Sequence, residues 1–238
     1  VSQKDKFIAK QSRFAALGEM ISMIAHQWRQ PLTGMGMSVN NMLLDIDLED
    51  MDEKRFKENL ELINLQIGYL STTIDDFKNF FKPNAELEEV SVLKLIQSSC
   101  MVIDSSLRSN AIEIVISIDE NIKVLTRKND VTQIILNLVK NSMDAYLERS
   151  DEKRVINISA VKASERVEIT VQDFAGGIPK EIVDKIFDPY FSTKDKKNGT
   201  GLGLYMSKMI AEDHLGGYLD VRVEGESTIF KLVLVQKG

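Results

Sequence analysis

The spacing of apolar residues changes once along this chain, and this change constrains the fold more than any other feature. Before Pro83, apolar side chains recur at steps of three and four, with one additional step of four, as in a coiled-coil-like helix with a stutter. One apolar seam consists of Phe14, Leu17, Ile21, Ile24, Trp28, Leu32, Met35, Val39 and Met42, and a second of Phe56, Leu60, Ile63, Ile67, Leu70, Ile74, Phe77 and Phe81. The acidic stretch 45–53 can turn the chain between them, so the pattern predicts a long helical hairpin.

Two helices alone would leave much of both seams in water. At roughly 25 cal/mol per Å² of apolar surface, that exposure strongly favours a partner. Pairing two identical hairpins into a four-helix bundle is the simplest closed solution, because a two-fold interface uses the same surface twice. The seams therefore predict a homodimer.

After Pro83 the apolar residues alternate with polar ones, which is typical of strands with one buried face. The alternating runs are Ile156-Ile158-Ala160, Val167-Ile169-Val171, Leu219-Val221-Val223 and Phe230-Leu232-Leu234. Helical patterns at 92–107, 130–147 and 202–214 can cover that face, which predicts an α/β two-layer sandwich. Since proline ends a helix, we place the helical hairpin at 1–82, a linker at 83–89 and the sandwich domain at 90–238.

Composition excludes several classes of protein. A formal net charge of −6 argues against nucleic-acid binding, and no run of about 18 apolar residues predicts a membrane span. Two histidines and one cysteine are too few for a usual transition-metal site, and we expect Cys100 to be a buried structural thiol in a reducing compartment. Because the chain starts at Val1, we interpret it as a cytoplasmic fragment of a longer protein that makes no membrane contact itself.

His26 lies two residues from Ile24 and Trp28, which directs its ring away from the first seam. Pro31 follows within the same helical pattern, where it removes a hydrogen bond and predicts a kink costing about 3 kcal/mol. This pattern suggests a functional His26, and the alternative interpretation is that His26 is an ordinary exposed histidine on a helix. For His214, which precedes Gly216, we expect only a favourable charge at a helix C-terminus.

Three motifs follow in the second half. Asn137, Asn141 and Asp144 share one helical face, where an asparagine carbonyl suits Mg²⁺, although such a face is often merely solvated. Asp173 follows a strand and precedes a flexible turn, where its carboxylate can accept a hydrogen bond from an adenine amino group, although this stretch alone favours an ordinary strand-to-helix turn. Glycines at 199–204 open a helix, where backbone N–H groups can approach phosphate.

The first half resembles the phosphoacceptor box of histidine kinases, through Ala-Leu-Gly-Glu-Met at 16–20 and His-Gln-Trp-Arg-Gln-Pro-Leu at 26–32. The resemblance implies that His26 accepts the phosphoryl group. It also implies that Gln30 positions a water for dephosphorylating the partner. The alternative is that Gln30 is an ordinary exposed helical glutamine. Gln27 replaces a common acidic residue. An amide cannot accept a proton, but neutral imidazole is already nucleophilic at pH 7, so we expect slower autophosphorylation rather than none.

The second half resembles the ATP-binding fold of histidine kinases, type II topoisomerases and certain chaperones, with a phenylalanine box and lid at 186–194. The resemblance implies that Asn141 ligates Mg²⁺, that Asp173 reads adenine and that Asn137 acts at the reaction centre. It implies a nucleotide site of Asn137, Asn141, Asp144, Asp173, Gly177, Ile178, Lys194, Gly199, Thr200, Gly201, Leu202, Gly203 and Leu204.

Phe174 and Ala175 depart from that family's usual asparagine and glycine, and a positive φ at Ala175 would be strained. The resemblance implies an ATP-dependent histidine kinase that phosphorylates His26 and then an aspartate of a response-regulator receiver domain, with a phosphatase activity toward that partner as a further expectation. A clamp-type ATPase is one alternative, disfavoured because such enzymes place a glutamate where this chain has Asn137. The other alternative is a degenerate dimeric scaffold that binds nucleotide but is not catalytic.

Overall fold

The computed structural model describes residues 28–48, 52–80, 86–149, 154–193 and 201–236. The chain divides into two compact units: residues up to 79 belong to the first, and residues 86–191 and 201–236 to the second. Within the described ranges, no helix is long and apolar enough to cross a membrane.

The first unit contains two helices, α1 (28–47) and α2 (Glu53–Phe80). The Asp52 carboxylate accepts a hydrogen bond from the Lys54 backbone N–H at 2.9 Å, which satisfies one of the free donors at the start of α2. Near the turn, Arg55 Nη2 lies 3.0 Å from Asp45 Oδ1. Farther along, the Gln66 side chain lies against Gly34, where an added Cβ would come within 2.6 Å of Nε2. These two contacts show that α1 and α2 run side by side in opposite directions.

Each helix leaves an apolar stripe in solvent. In α1 the buried side chains are Ser38, Met42 and Asp45, so the predicted seam is divided: Met42 is buried, whereas Leu32 and Val39 are exposed. Six of the exposed apolar residues recur at intervals of seven, as Leu32, Val39 and Ile46 in α1 and as Leu60, Ile67 and Ile74 in α2. This spacing places each set of three on one face of its helix. We call these six residues the heptad surface. Other exposed apolar residues lie outside this series, namely Met37, Leu43, Leu44, Leu48 and Leu62.

The second unit is built on a mixed five-stranded sheet of order β2-β4-β5-β7-β6. Its strands are β2 (Ile112–Ile118), β4 (Arg154–Ala163), β5 (Arg166–Asp173), β6 (Tyr218–Glu224) and β7 (Ser227–Val235). Strand β2 runs parallel to β4, and all other neighbours are antiparallel. A separate antiparallel pair joins β1 (Glu88–Ser91) to β3 (Lys123–Thr126).

Helices α3 (Val92–Ser109), α4 (Lys128–Leu147) and α6 (Gly203–Met209) supply the helical layer, and a short α5 (Lys180–Val183) follows the turn after β5. The core is formed by the alternating residues of β4 and β5 and the apolar face of α4, including Ile134, Leu138, Ile158 and Ile169. The four predicted strands and three predicted helices are present. Strands β1, β2 and β3 were not predicted. The single cysteine, Cys100, is half-buried in α3, and burial raises the pKa of its thiol to about 11.

Helix α6 continues into a π-helical turn at Ile210–His214, in which the Leu215 N–H donates to the Ile210 carbonyl at 3.1 Å. This turn buries His214 and brings its Nδ1 within 3.3 Å of Asp130 Oδ2 at the start of α4. The predicted position at the end of a helix is confirmed, but the imidazole faces the half-buried Asp130 carboxylate rather than solvent.

Candidate functional site

Helix α4 carries a set of three polar side chains, of which Asn137 is held in place by residues of α6. Asn137, Asn141 and Asp144 are all half-buried along this helix. Asn137 Nδ2 donates a 2.9 Å hydrogen bond to Ser207 Oγ in α6. The amide also lies against the backbone of Gly203, where an added Cβ would come within 3.0 Å of Asn137 Cγ. The first turn of α6 therefore packs directly on Asn137.

Asn141 has a side chain that the described fold leaves available. Its Nδ2 is buried and has no hydrogen-bond partner within the described residues. In the same ranges, no three His, Cys, Asp or Glu side chains cluster closely enough to bind a metal ion by themselves. Mg²⁺ commonly takes one or two protein oxygens and completes its shell with phosphate and water. A half-buried asparagine amide whose Nδ2 has no partner within the described residues is compatible with supplying one such oxygen.

Asp173, at the end of β5, is almost completely buried, with 3% of its surface exposed. The Ser142 hydroxyl donates to its Oδ2 at 2.7 Å, and the Ala175 backbone N–H donates to its Oδ1 at 3.1 Å. Loss of hydration raises the pKa of the Asp173 carboxyl, and these two hydrogen bonds lower it by less. The carboxylate is thus a fixed acceptor in a dry environment, which suits recognition of an N–H donor.

The backbone of the turn after Asp173 requires glycine at positions 176 and 177 but not at position 175. Gly176 and Gly177 have φ values of 91° and 71°, whereas Ala175 is buried and is not among the residues with positive φ. The strain considered for Ala175 is therefore absent. The Gly176 N–H donates to the Glu226 carbonyl at 3.0 Å, and a Cβ on Gly177 would approach the Gly225 carbonyl oxygen to 2.9 Å. The half-buried Ile178 follows.

The start of α6 is fixed by a close backbone contact. Gly201 has a φ of 66°, and an added Cβ would come within 2.6 Å of Tyr190 Cα. The Tyr190 N–H donates to the Gly201 carbonyl at 2.9 Å, and Tyr190 itself has a φ of 63°. Leu202 is buried, Gly203 and Leu204 are half-buried, and the Met206 N–H donates to the Leu202 carbonyl at 2.8 Å. These contacts anchor the end of the predicted glycine motif.

Several predicted site residues lie outside the described ranges, namely His26, Gln27, Lys194, Gly199 and Thr200. Gln30 is described and is exposed in the first turn of α1. The helix continues through Pro31.

Three polar residues of this region were missed by the sequence analysis. Ser142 contacts Asp173, Ser207 contacts Asn137, and the Tyr146 hydroxyl contacts the backbone of Phe174. A signal existed for the serines, since each occupies a buried position among apolar neighbours of its helix. Tyr146 gave no such signal, because a tyrosine in an apolar stripe is ordinary core packing.

Residues 126–237 match the family described as histidine kinase-, DNA gyrase B-, and HSP90-like ATPase. The chain is 29% identical over 235 residues to the two-component sensor PprA of Pseudomonas aeruginosa, covering 97% of this chain and 25% of that protein. It is 28% identical over 241 residues to sporulation kinase C of Bacillus subtilis, covering 98% and 52% respectively. The chain therefore spans about a quarter to a half of the length of these relatives.

Solved structures agree in fold. The catalytic domain of histidine kinase ThkA matches with a TM-score of 0.56 at 27% identity, covering 64% of this chain and 97% of that one. The structure of ThkA in complex with the response regulator protein TrrA matches with a TM-score of 0.73 at 23% identity, covering 100% and 68%.

Proposed function

We propose that this chain, whose residues 126–237 carry a domain of the histidine kinase-, DNA gyrase B- and HSP90-like ATPase family, is the kinase core of a two-component sensor histidine kinase. It takes the γ-phosphoryl group of ATP onto His26 and passes it to an aspartate of a response-regulator receiver domain. The observation that carries the proposal is the buried Asp173 carboxylate, held by Ser142 on the same helix that presents the available amide of Asn141.

The nucleotide is the substrate for which this site is built. Asp173 accepts a hydrogen bond from the adenine amino group, and the turn at Gly177 and Ile178 borders the base. Asn137 and Asp144 extend the site along α4 toward the phosphates. The 199–204 segment and Lys194 supply backbone N–H groups and a positive charge to the phosphates.

Asn141 would hold Mg²⁺ through its carbonyl oxygen, and the ion would neutralise phosphate charge. A ring nitrogen of His26 forms the new bond to phosphorus while the bond from phosphorus to the ADP oxygen breaks. Gln27 orients the imidazole by hydrogen bonding without accepting a proton. Gln30, an exposed residue of α1, positions a water for the dephosphorylation of the partner.

The heptad surface supports a homodimer. Six apolar side chains at intervals of seven remain exposed on α1 and α2, and burying them against a second copy would complete a four-helix bundle. We propose that this surface is the dimer interface and that hairpin 1–82, linker 83–89 and domain 90–238 are the functional divisions of the chain.

The test is incubation of the full chain with γ-labelled ATP and Mg²⁺. We expect acid-labile, alkali-stable label on the protein, its loss in His26→Gln and Asn141→Ala, and its retention in His214→Gln, which alters the other histidine as a control. Released phosphate without labelled protein would instead identify an ATPase. Nucleotide binding with neither product would identify the scaffold, and either result would refute the kinase assignment.

A further inference from the structure

We infer that the Tyr146 hydroxyl is a positioning residue for base recognition, acting through the backbone of the turn that follows Asp173. The inference rests on the proposed function, because it assumes that Asp173 reads the adenine amino group. The role of Tyr146 is to hold the geometry of Asp173.

The hydroxyl of Tyr146 is a buried junction between two elements. The side chain lies in α4 and has 0% of its surface exposed. Its Oη donates to the Val155 carbonyl at 2.8 Å and accepts from the Val155 N–H at 3.3 Å, which ties it to the start of β4. It also accepts from the Phe174 N–H at 3.0 Å. Since β4 fixes the hydroxyl on one side, the oxygen is a rigid acceptor for the turn on the other.

Phe174 is the first residue beyond β5, where the sheet no longer supplies hydrogen bonds to the backbone. The next residue, Ala175, donates its N–H to Asp173 Oδ1. Removing the Tyr146 hydroxyl would leave the Phe174 N–H without its acceptor, so the turn would shift to satisfy it. That shift would displace the Ala175 N–H and thereby reorient the Asp173 carboxylate.

Helix α4 thus fixes Asp173 from two directions. Ser142 holds Oδ2 directly, and Tyr146, four residues later on the same side of the helix, holds the backbone that supplies the donor to Oδ1. Both oxygens of the carboxylate are therefore oriented by one rigid element. An acceptor held in this way discriminates a base that offers an amino donor from one that offers a carbonyl oxygen.

The experiment compares ATP with inosine triphosphate, whose base has a carbonyl in place of the amino group. Dissociation constants of both nucleotides are measured for the full wild-type chain, for Tyr146→Phe and for Tyr218→Phe, a matched control on the half-exposed start of β6. We expect Tyr146→Phe to weaken ATP binding about tenfold and inosine triphosphate binding less than twofold. Tyr218→Phe should change neither constant.

Equal weakening of both nucleotides by Tyr146→Phe would show that the hydroxyl only supports the fold, and it would overturn the inference. Unchanged binding of both would overturn it as well. A wild-type chain that binds no ATP would refute the proposed function, and the inference with it.

A second measurement needs no variant. In hydrogen exchange of the wild-type protein followed by NMR, the Phe174 amide should exchange at least a hundredfold more slowly than in an unstructured chain. Exchange at the unstructured rate would mean that the bond to Tyr146 does not persist in solution, which would overturn the inference even if Tyr146→Phe failed to fold.

Discussion

Asp173, which we propose reads adenine, has a carboxyl whose burial opposes folding. Burial raises its pKa, so the charged form is less favourable in the folded protein than in the unfolded chain. Between the ordinary aspartate pKa of about 4 and the raised value, the folded state binds the proton more tightly. The contribution of Asp173 to stability therefore falls as pH rises through that window. Above the window, burial of this carboxyl lowers the free energy of unfolding.

Replacing Asp173 with asparagine is expected to separate the two effects. Asp173→Asn removes the charge, so the free energy of unfolding at pH 7 should stay equal or increase, while ATP affinity falls at least about tenfold as an acceptor is lost. Chemical denaturation and calorimetric ATP titration would measure both. A large loss of stability at pH 7 would contradict the expectation.

Asp173 and Asn141 were identified as candidates because the order of their motifs along the chain resembles a known family. Spacing alone also allowed an ordinary turn and a solvated helical face, so their roles stay predictions. Tyr146 and Ser142 act through contacts between elements distant in the chain. The polar Ser142 among apolar neighbours was a local signal, but no local pattern identifies the partner of either hydroxyl, which only the packed structure shows.

Among the elements, helix α6 is positioned by the Asn137 side chain, against which its first turn packs. Gly203 lies so close to the Asn137 amide that a Cβ would collide with it, and Asn137 also donates to Ser207 one turn later. A glycine at a helix start ordinarily weakens the helix relative to alanine, yet here it permits the close approach of α6 to α4.

Gly203→Ala is therefore expected to destabilise the protein by about 1–2 kcal/mol, despite the better helix propensity of alanine. In an Asn137→Ala background the collision is removed, so the same substitution should be neutral or stabilising. Urea denaturation of the wild type, the two single variants and the double variant forms a double-mutant cycle. An equal cost in both backgrounds would refute the contact as the cause.

The elements themselves were predicted where their pattern is strong. The strands that became β4 to β7 alternate cleanly, and α4 has a full apolar face. Strand β2 was missed because Val115 occupies an outward position and weakens its alternation, although Ile112, Ile114 and Ile116 mark the inner face. Strands β1 and β3 have four residues each, too few to establish a period.

For the molecule as a whole, the heptad surface is the proposed determinant of whether the protein is a monomer or a homodimer. Val39 lies at its centre in α1 with 42% of its surface exposed, whereas Val161 in β4 is 57% exposed and lies outside it. The two valines provide a matched pair for testing the interface.

Val39→Glu would place a charge in the shared core, so the protein should sediment as a single chain of 26.9 kDa at micromolar concentration. The wild type and Val161→Glu should sediment at twice that mass in analytical ultracentrifugation. A monomeric wild type, or a dimeric Val39→Glu, would contradict the proposed interface.

The order of the strands also dictates when during folding the nucleotide turn can exist. Strands β4 and β5 form one local hairpin and β6 and β7 another, and the two join only through the β5–β7 pairing, where Asp173 faces Thr228. The turn at Gly176 is then tied to the tip of the second hairpin through Glu226. If the turn at Gly176 borders the base as proposed, an intermediate whose two hairpins are still separate would lack that part of the site, and ATP would stabilise only chains in which the hairpins have docked.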